Sequence, residues 1–499
     1  MLVWFLPVFL FFLLIGLPVF FALLVAPGAL LWLAGQERDM ALLYRNVYNG
    51  MDSFPLMALP FFMLAGELMN RGGITTRLVE FSQALMGHLR GGLAHVNILS
   101  SILFAGLSGS AVADTSALGS TLIPAMEKNG YTRKFAAAVT AASSVIGPII
   151  PPSGIMIIYA YVMGESVAAL FLAGIVPGVM VGVGLMLVVR LMADKYDLPK
   201  AERIVHANQD ISATESWLSF VLLRLNLAAV LYGLSGAVVS LMSLPSLSSS
   251  TLSLWISVVV FLVIAHVVLV AIRGQVSSDF RIVCKKAVAP LQAPIIILGG
   301  ILVGVFTPTE ASAVAVAYAL LISFFVLKSM SLKDLPAILT KSALGASTVL
   351  LLVGAAVAFK TVVSLSHAPE QLASFMLGLS EEPLILLFLI NLLLFVVGMF
   401  LDAGPAIIIL GPILGPIFVD LGVHPVHFAI IMSVNLTVGL ATPPMGLVLF
   451  VASSVSGEKV ETLSKAILPF LAVEILVIFL ITYIPAISMT IPRLTGFVN

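Results

Sequence analysis

Two stretches of this chain repeat one another, and neither can continue as a regular helix. Gly147-Pro148-Ile149-Ile150-Pro151-Pro152-Ser153-Gly154 and Gly439-Leu440-Ala441-Thr442-Pro443-Pro444-Met445-Gly446 share the pattern G-x-x-x-P-P-x-G at an offset of 292 residues. The same offset pairs Pro124 with Pro416, Gly130 with Gly422 and Pro177 with Pro469. Adjacent prolines remove two N–H donors, and their rings free nearby carbonyls. Both stretches sit in long apolar sequence, and in hydrocarbon every backbone polar group needs a partner. The chain therefore reads as two repeats, each with a helix broken inside a membrane, the freed carbonyls meeting an ion, water or substrate.

Composition supports that setting. Of 499 residues, 60% are hydrophobic and only 10% are charged, against about 25% charged in soluble domains. Apolar runs of about 20 residues predict a polytopic all-α membrane protein. A β-barrel would alternate in segments of about ten residues. The net charge is zero, so nucleic acid is not a partner. Cys284 is the single cysteine, which leaves no internal disulfide. Residues 1–33 are apolar throughout and lack a basic start and a small-residue cleavage site, so they read as retained membrane helix. As one helix they would span roughly 50 Å against a core of about 30 Å. Gly16 and Pro18 are predicted to kink or break it; one crossing and two both remain open, as does the side of the N-terminus.

Charge placement gives the topology. Residues 92–126 are apolar with a small, polar centre from Gly106 to Ser116, and basic residues flank both ends: Arg90 before, Lys128, Arg133 and Lys134 after. The positive-inside rule puts both ends in the cytoplasm. The segment is thus a re-entrant helical hairpin with its tip near the midplane. The first broken helix (134–161) follows, and residues 168–192 return to a basic loop with Arg190, Lys195, Lys200 and Arg203. Residues 383–420 resemble a second hairpin with its tip around 398–405, and the loop after it, 421–427, carries no Lys or Arg. The second broken helix (428–453) leads to Glu458, Lys459 and Lys465. The hairpin mouths face opposite sides, as an inverted repeat requires. The tips align by pairing Asp114 with Asp402 across a four-residue gap.

Further spans are expected at 54–69, 217–242, 252–272, 289–305, 311–327, 343–365 and 467–483. Residues 75–89 are amphipathic and read as interfacial. A Ser-rich stretch, 243–250, links the pair at 217–272. Glu310 is expected to cap the helix near Thr309. Lys360 is a lone cation in an apolar span and is expected to snorkel. Gly178/Gly182 and Gly300/Gly304 read as close-packing motifs.

Ser143, Ser144 and Ser153 cluster beside the first break, and Asn435, Thr437 and Thr442 beside the second; Ser143 and Asn435 are repeat partners. Neutral oxygens of this kind suit a weakly bound monovalent cation such as Na⁺; proline kinks and Ser/Thr side chains also serve helix packing in membranes, which is the other reading. A dedicated Ca²⁺ site would want several carboxylates. Asp114 and Asp402 are costly in hydrocarbon, so direct ligation, a wet cavity and a cap are all open for them. Enzyme chemistry finds no support. His424 and His427 lack a third ligand, no nucleophile–base arrangement stands out, and Gly106 to Ser110 lacks the Gly-Lys-Ser/Thr of a phosphate loop.

Several motifs in order, Gly106-Leu-Ser-Gly-Ser-Ala-Val-Ala-Asp114 through Pro152-Ser153, Gly304-Val-Phe-Thr-Pro-Thr-Glu310, Gly439-Leu-Ala-Thr-Pro-Pro444 and residues 54–69, resemble the large permease (M) subunit of tripartite ATP-independent periplasmic (TRAP) transporters. The resemblance covers residues 1–200 and 283–499; residues 210–280 depart from it. It implies Na⁺-coupled import of a small organic anion, carboxylate or sialic-acid-like, across a bacterial or archaeal inner membrane. It implies two partners, a periplasmic solute-binding protein and a small four-helix membrane subunit, and no cofactor beyond Na⁺ as coupling ion. It implies an elevator: scaffold helices in 1–91 and 289–381 and a mobile unit from 92–192 and 382–499; the departing region reads as an extra two-helix insertion within 193–288. By this likeness the sodium ligands fall among Ser108, Gly109, Ser110, Gly147, Pro151, Ser153, Asp402, Gly404, Asn435, Gly439, Thr442 and Pro443. The substrate would meet Ser110, Asp114, Thr115, Pro152, Ser153, Asn435, Thr437 and Pro444. The alternatives are a self-sufficient anion/Na⁺ symporter or ion transporter of related architecture, which would need no binding protein, and a membrane subunit without transport.

Overall fold

The first hairpin is built from α5 (Gly92–Ser108) and α6 (Ala111–Lys128), and the second, described below, repeats it residue for residue at the offset of the Pro-Pro motifs. The computed structural model describes residues 8–9, 11–12, 15–33, 35, 37–199, 211–241, 251–365, 378 and 382–498. Lys200, Arg203 and the 243–250 link lie outside them, as does most of the stretch before Val19. Helices form the described residues, with no strand among them, and eight are long and apolar enough to cross a membrane.

Before the first hairpin come α1 (Val19–Leu33), α2 (Glu37–Met51), α3 (Ala58–Arg71) and the amphipathic α4 (Ile74–Met86). The first broken helix is α7 (Arg133–Ser144) and α8 (Gly154–Met163), followed by α9 (Val167–Met192). Next come α10 (Ala213–Leu241), α11 (Thr251–Arg273), α12 (Ser278–Leu302), α13 (Pro308–Leu321) and the long α14 (Leu335–Leu365). The second repeat comprises the hairpin α15 (Pro383–Phe400) and α16 (Ala403–Asp420), the broken pair α17 (Pro425–Gly439) and α18 (Leu447–Ser456), and α19 (Val460–Tyr483). A short α20 (Ala486–Leu494) ends the chain.

The tip alignment differs from the sequence expectation. The N-cap of α6 is Ser110 and that of α16 is Asp402, so these two are repeat partners with no gap. Asp114 falls opposite Ala406, inside α16. Ser and Asp serve equally well at an N-cap, so the partnership is one of role rather than residue type.

The repeats interlock by exchange. Helix α6 packs on α18 of the other repeat, and α16 packs on α8. A Cβ placed on Gly119 of α6 would lie 3.3 Å from Val455, and one on Gly411 of α16 would lie 3.6 Å from the sulfur of Met163. These four residues form two symmetry-related pairs at the same offset. Between the hairpins, α7 is buried from Phe135 to Ser144 and α17 from Val426 to Gly439. With no hydrophobic force between helices in lipid, such packing rests on van der Waals contact and interhelical hydrogen bonds. Ala-rich α7 supplies the first.

The remaining helices wrap this unit. Helix α14 packs along α2, α3 and α1. Helix α2 had no counterpart in the sequence reading. Its approach to α14 is set by glycines: a Cβ on Gly50 would fall 2.8 Å from Val357, and one on Gly354 would fall 2.7 Å from the Val47 carbonyl. Glu310 closes a capping box with Thr307 at the start of α13. Lys360 donates to the carbonyl of Val162. Gly178 and Gly182 close-pack on Ile150 and Ile102 as expected, but Gly304 has open space around its Cβ position and takes φ +73°. It turns the chain out of α12 instead of packing a helix pair.

Candidate functional site

The hairpin tips and the first break converge on one cavity of about 770 Å³, within the range for small-molecule sites. Ser108, Gly109 and Ser110 enter it from the first tip, and Asp402, Ala403, Gly404 and Pro405 from the second. Pro148, Pro152 and Gly154 border it from the first break, Leu440 and Leu447 from the flanks of the second. The opposite wall comes from outside the repeats. Leu59, Phe62, Met63, Gly66, Glu67 and Asn70 present one stripe of α3, and Lys341, Ser342, Gly345, Thr348, Val349 and Leu352 one stripe of α14. Both stripes follow helical spacing. Lys341 pairs with Glu67 at 2.8 Å, and neither was singled out from sequence. Each lies near a charged helix end and carries no local sign of the other, 274 residues away.

The first tip sits on its own break. Gly109 takes φ +62°, and a Cβ there would come within 2.6 Å of the Pro152 carbonyl, so only glycine fits. Ser110 accepts from the Ala113 N–H at 3.4 Å and so opens α6. Ser108 Oγ donates to Asp114 Oδ1. Asp114 does not line the cavity; it is fully buried, and its Oδ2 has no hydrogen-bond partner. That oxygen points at Gly147, where any side chain would collide with it. Thr115 Oγ1 lies 2.6 Å from Ser144 Oγ, Ser101 Oγ lies 2.8 Å from Ser143 Oγ, and Asn97 donates to Thr140 at 2.7 Å. Ser153 caps α8 and donates to the Pro148 carbonyl across the break.

At the second tip, the Asp402 carboxylate accepts from the Ala403 N–H at 2.8 Å. Behind it, Asn435 donates to Asn391 Oδ1 at 2.6 Å and to the Ile431 carbonyl at 2.8 Å. Thr482 also lies on Asn391 Oδ1, at 3.2 Å. The Asn435 carbonyl oxygen is buried without a partner. Thr437 and Thr442 bond back to the carbonyls of Ser433 and Val438. Val448 N–H reaches over the break to the Leu440 carbonyl at 2.9 Å. Gly439 lies against the backbone of Gly398. Both Pro-Pro bonds, Pro151-Pro152 and Pro443-Pro444, are cis.

Of the residues predicted from sequence, Ser108, Gly109, Ser110, Pro152, Asp402 and Gly404 line the cavity. Asp114, Thr115, Gly147, Pro151, Ser153, Asn435, Thr437, Gly439 and Thr442 are buried behind it, while Pro443 is partly buried and Pro444 exposed away from it. An unpartnered acceptor thus stands near each break, Asp114 Oδ2 at the first and Asn435 Oδ1 with Ser433 Oγ before the second; Ser100 Oγ and both carboxylate oxygens of Glu474 on α19 are likewise buried without a partner. Burying a polar oxygen without a partner is costly, and a small cation satisfies such an oxygen. His424 caps α17 through the Val426 N–H at 3.2 Å, and His427 is buried 2.7 Å from Ser488. Both are occupied in structure.

Residues 6–487 match the family model described as tripartite ATP-independent periplasmic transporter, DctM component. The sialic acid TRAP transporter large permease protein SiaM of Vibrio cholerae is 34% identical over 482 residues, covering 96% of this chain and 95% of that protein. The C4-dicarboxylate TRAP transporter large permease protein DctM of Pseudomonas aeruginosa is 33% identical over 469 residues, covering 94% and 93%. Among solved structures, the YdaH transporter of Alcanivorax borkumensis superposes with a TM-score of 0.53 at 16% identity, over 92% of this chain and 89% of that one, a likeness of fold alone.

Proposed function

The chain belongs to the family of large permease (DctM) components of TRAP transporters, and from that premise we propose that it imports a small organic anion, coupled to Na⁺, in the inner membrane. It is a membrane transport subunit, not an enzyme. The observation that carries this reading is the convergence of both tips and the first break on one cavity, with an unpartnered buried oxygen beside each break. We assign one Na⁺ to Ser108, Asp114 and the backbone around Gly147, and a second to Asn435 with the backbone of the second break. The substrate lies between the tips, against Ser110, Pro152 and Gly404. The N-termini of α6 and α16 end at these tips and favour negative charge there.

Lys341 is the cation in the cavity wall. It stands beside Glu67 near Arg71 and Lys333, the basic end that positive-inside reasoning places in the cytoplasm. The cavity runs from that end along Ala117 and Ala113 to Ser110, so we read the state as open inward. The repeats (92–192 and 382–499) form the mobile unit, and helices from 1–91 and 289–381 form the scaffold. Lys360 on the scaffold, bonded to Val162 on the mobile unit, is a contact that must break as the unit slides. A periplasmic solute-binding protein delivers the substrate, and a small membrane subunit completes the complex.

The driving force suffices without ATP. One Na⁺ crossing 100 mV gains about 2.3 kcal/mol, and a tenfold gradient adds about 1.4 kcal/mol. Two ions therefore supply roughly 7 kcal/mol before any cost of moving substrate charge. The test is uptake of sialic acid and C4-dicarboxylates into proteoliposomes holding this chain and its small subunit. Accumulation that requires both the binding protein and an inward Na⁺ gradient is expected. Undiminished uptake without the binding protein, or in choline with a proton gradient, would overturn the reading.

A further inference from the structure

Helices α10 and α11 take no part in the cavity. Helix α11 packs chiefly on α10, and its surface is exposed at the successive positions Val258, Val259 and Val260 and again at Val263, Ile264 and Val267. From Val258 to Ile272 the exposed positions, His266 apart, are apolar and run around the helix, which means that lipid surrounds it on most sides. Into this surface the chain sets a guanidinium. Arg224 lies two turns along α10 from Trp217, an exposed ring of the kind that marks a membrane interface. That places Arg224 about 10 Å deeper in the bilayer.

The guanidinium lies 3.3 Å above the centre of the Phe220 ring. It donates to the Phe220 carbonyl at 2.7 Å and to Nδ1 of His266 at 3.0 Å. Since Phe220 is one turn nearer the cytoplasmic end, the side chain is drawn back toward that leaflet. These bonds use two of the five N–H donors of arginine. Leaving the rest unmet in hydrocarbon is expensive. At the mouth of the same groove stand Arg273, ending α11, and Arg281, which donates to the Arg273 carbonyl at 3.1 Å. Of the acids at this end, Glu215 is taken by Arg77, and Asp279 is exposed and bonded by Ser278.

We propose that the groove between α10 and α11 binds the phosphate of an anionic phospholipid in the cytoplasmic leaflet. The planar fork of Arg224 holds two phosphate oxygens. Arg273 and Arg281 favour a headgroup with net negative charge, and the valine-rich face of α11 receives the acyl chains. A carboxylate on a second membrane protein is the competing class of partner. The lipid is favoured because α11 is exposed nearly all round and the Arg224 side chain is drawn back toward the headgroups of the cytoplasmic leaflet.

The experiment uses the full chain, delipidated in detergent and titrated with phosphatidylglycerol or phosphatidylcholine. Bound lipid is counted by native mass spectrometry, and the melting temperature is followed in parallel. Phosphatidylglycerol, but not phosphatidylcholine, is expected to bind with saturation and raise the melting temperature. Arg224→Gln should weaken that binding at least tenfold, with Arg224→Lys between. If Arg224→Gln does not fold, Arg273→Gln with Arg281→Gln keeps the deep site and should weaken phosphatidylglycerol several-fold. An unchanged response in these variants, or equal binding of both lipids, would overturn the proposal. So would loss of the small membrane subunit from Arg224→Gln at saturating phosphatidylglycerol, which would give the site to a protein contact.

Discussion

At the first break a carboxylate, Asp114, is buried against the backbone of Gly147; at the second its repeat position holds Ala406, and Gly439 lies against the backbone of Gly398 instead. The two halves share helix ends, caps and the exchanged packing of α6 on α18 and α16 on α8. They differ in charge. The unpartnered oxygen beside the first break is anionic, whereas those on α17 before the second belong to an amide, Asn435, and a hydroxyl, Ser433; the unpartnered carboxylate of the second repeat, Glu474, stands apart on α19. Under the proposed sodium assignment, one architecture used twice gives two unequal cation sites. The stronger lies behind the hairpin whose flank forms the open cavity, and the weaker behind the hairpin that contributes only its tip.

This inequality can be broken at its strong end first. Asp114→Asn keeps an acceptor for Ser108 and removes the charge. It is expected to weaken Na⁺ binding on the order of 100-fold, about 3 kcal/mol, read as loss of the Na⁺-dependent rise in melting temperature and of Na⁺-driven uptake. A wild-type sodium response in this variant would refute the assignment. The paired glycines sharpen the contrast. Gly147→Ala should displace the carboxylate and lower sodium affinity. Gly439→Ala should push α15 from α17 and cost about 1–3 kcal/mol of stability, equally in Na⁺ and in choline. A sodium-specific defect from Gly439→Ala would erase the distinction.

Asn435→Ala removes a neutral ligand and is expected to weaken the second site about tenfold, within the range for one hydrogen bond to a charged group. Its signature is a reduced sodium stoichiometry in flux measurements, with the tight component intact. The smallest effect is expected at the tips. Ser110→Ala and Asp402→Ala each remove an N-cap worth about 1 kcal/mol, and matched losses in thermal stability would show that the tips, unlike the breaks, are equivalent.

The inequality explains what could be read in the sequence. Gly and Pro dictate backbone, so the breaks and their register were legible from the two G-x-x-x-P-P-x-G motifs, and the hairpins from the charges that flank them. The tip alignment was not, because two aspartates invited pairing by type. The structure pairs Ser110 with Asp402 by capping role. Sequence also put Asp114 among substrate contacts, since its burial depends on how closely α6 meets Gly147. Helix α2 escaped notice because it is polar and its fit to α14 rests on Gly50 and Gly354. The Lys341–Glu67 pair joins elements with no local signature of each other.

The exchanged packing has a consequence for how the protein is made. Hairpin α5–α6 emerges from the ribosome with its buried carboxylate, yet the α18 wall it packs on is more than three hundred residues downstream. At about 5–20 residues per second, that is a delay of roughly 15 to 65 s. Throughout that interval α6 has its neighbour α7, but the face that later meets α18 must be covered by the membrane insertion machinery or another surrogate surface.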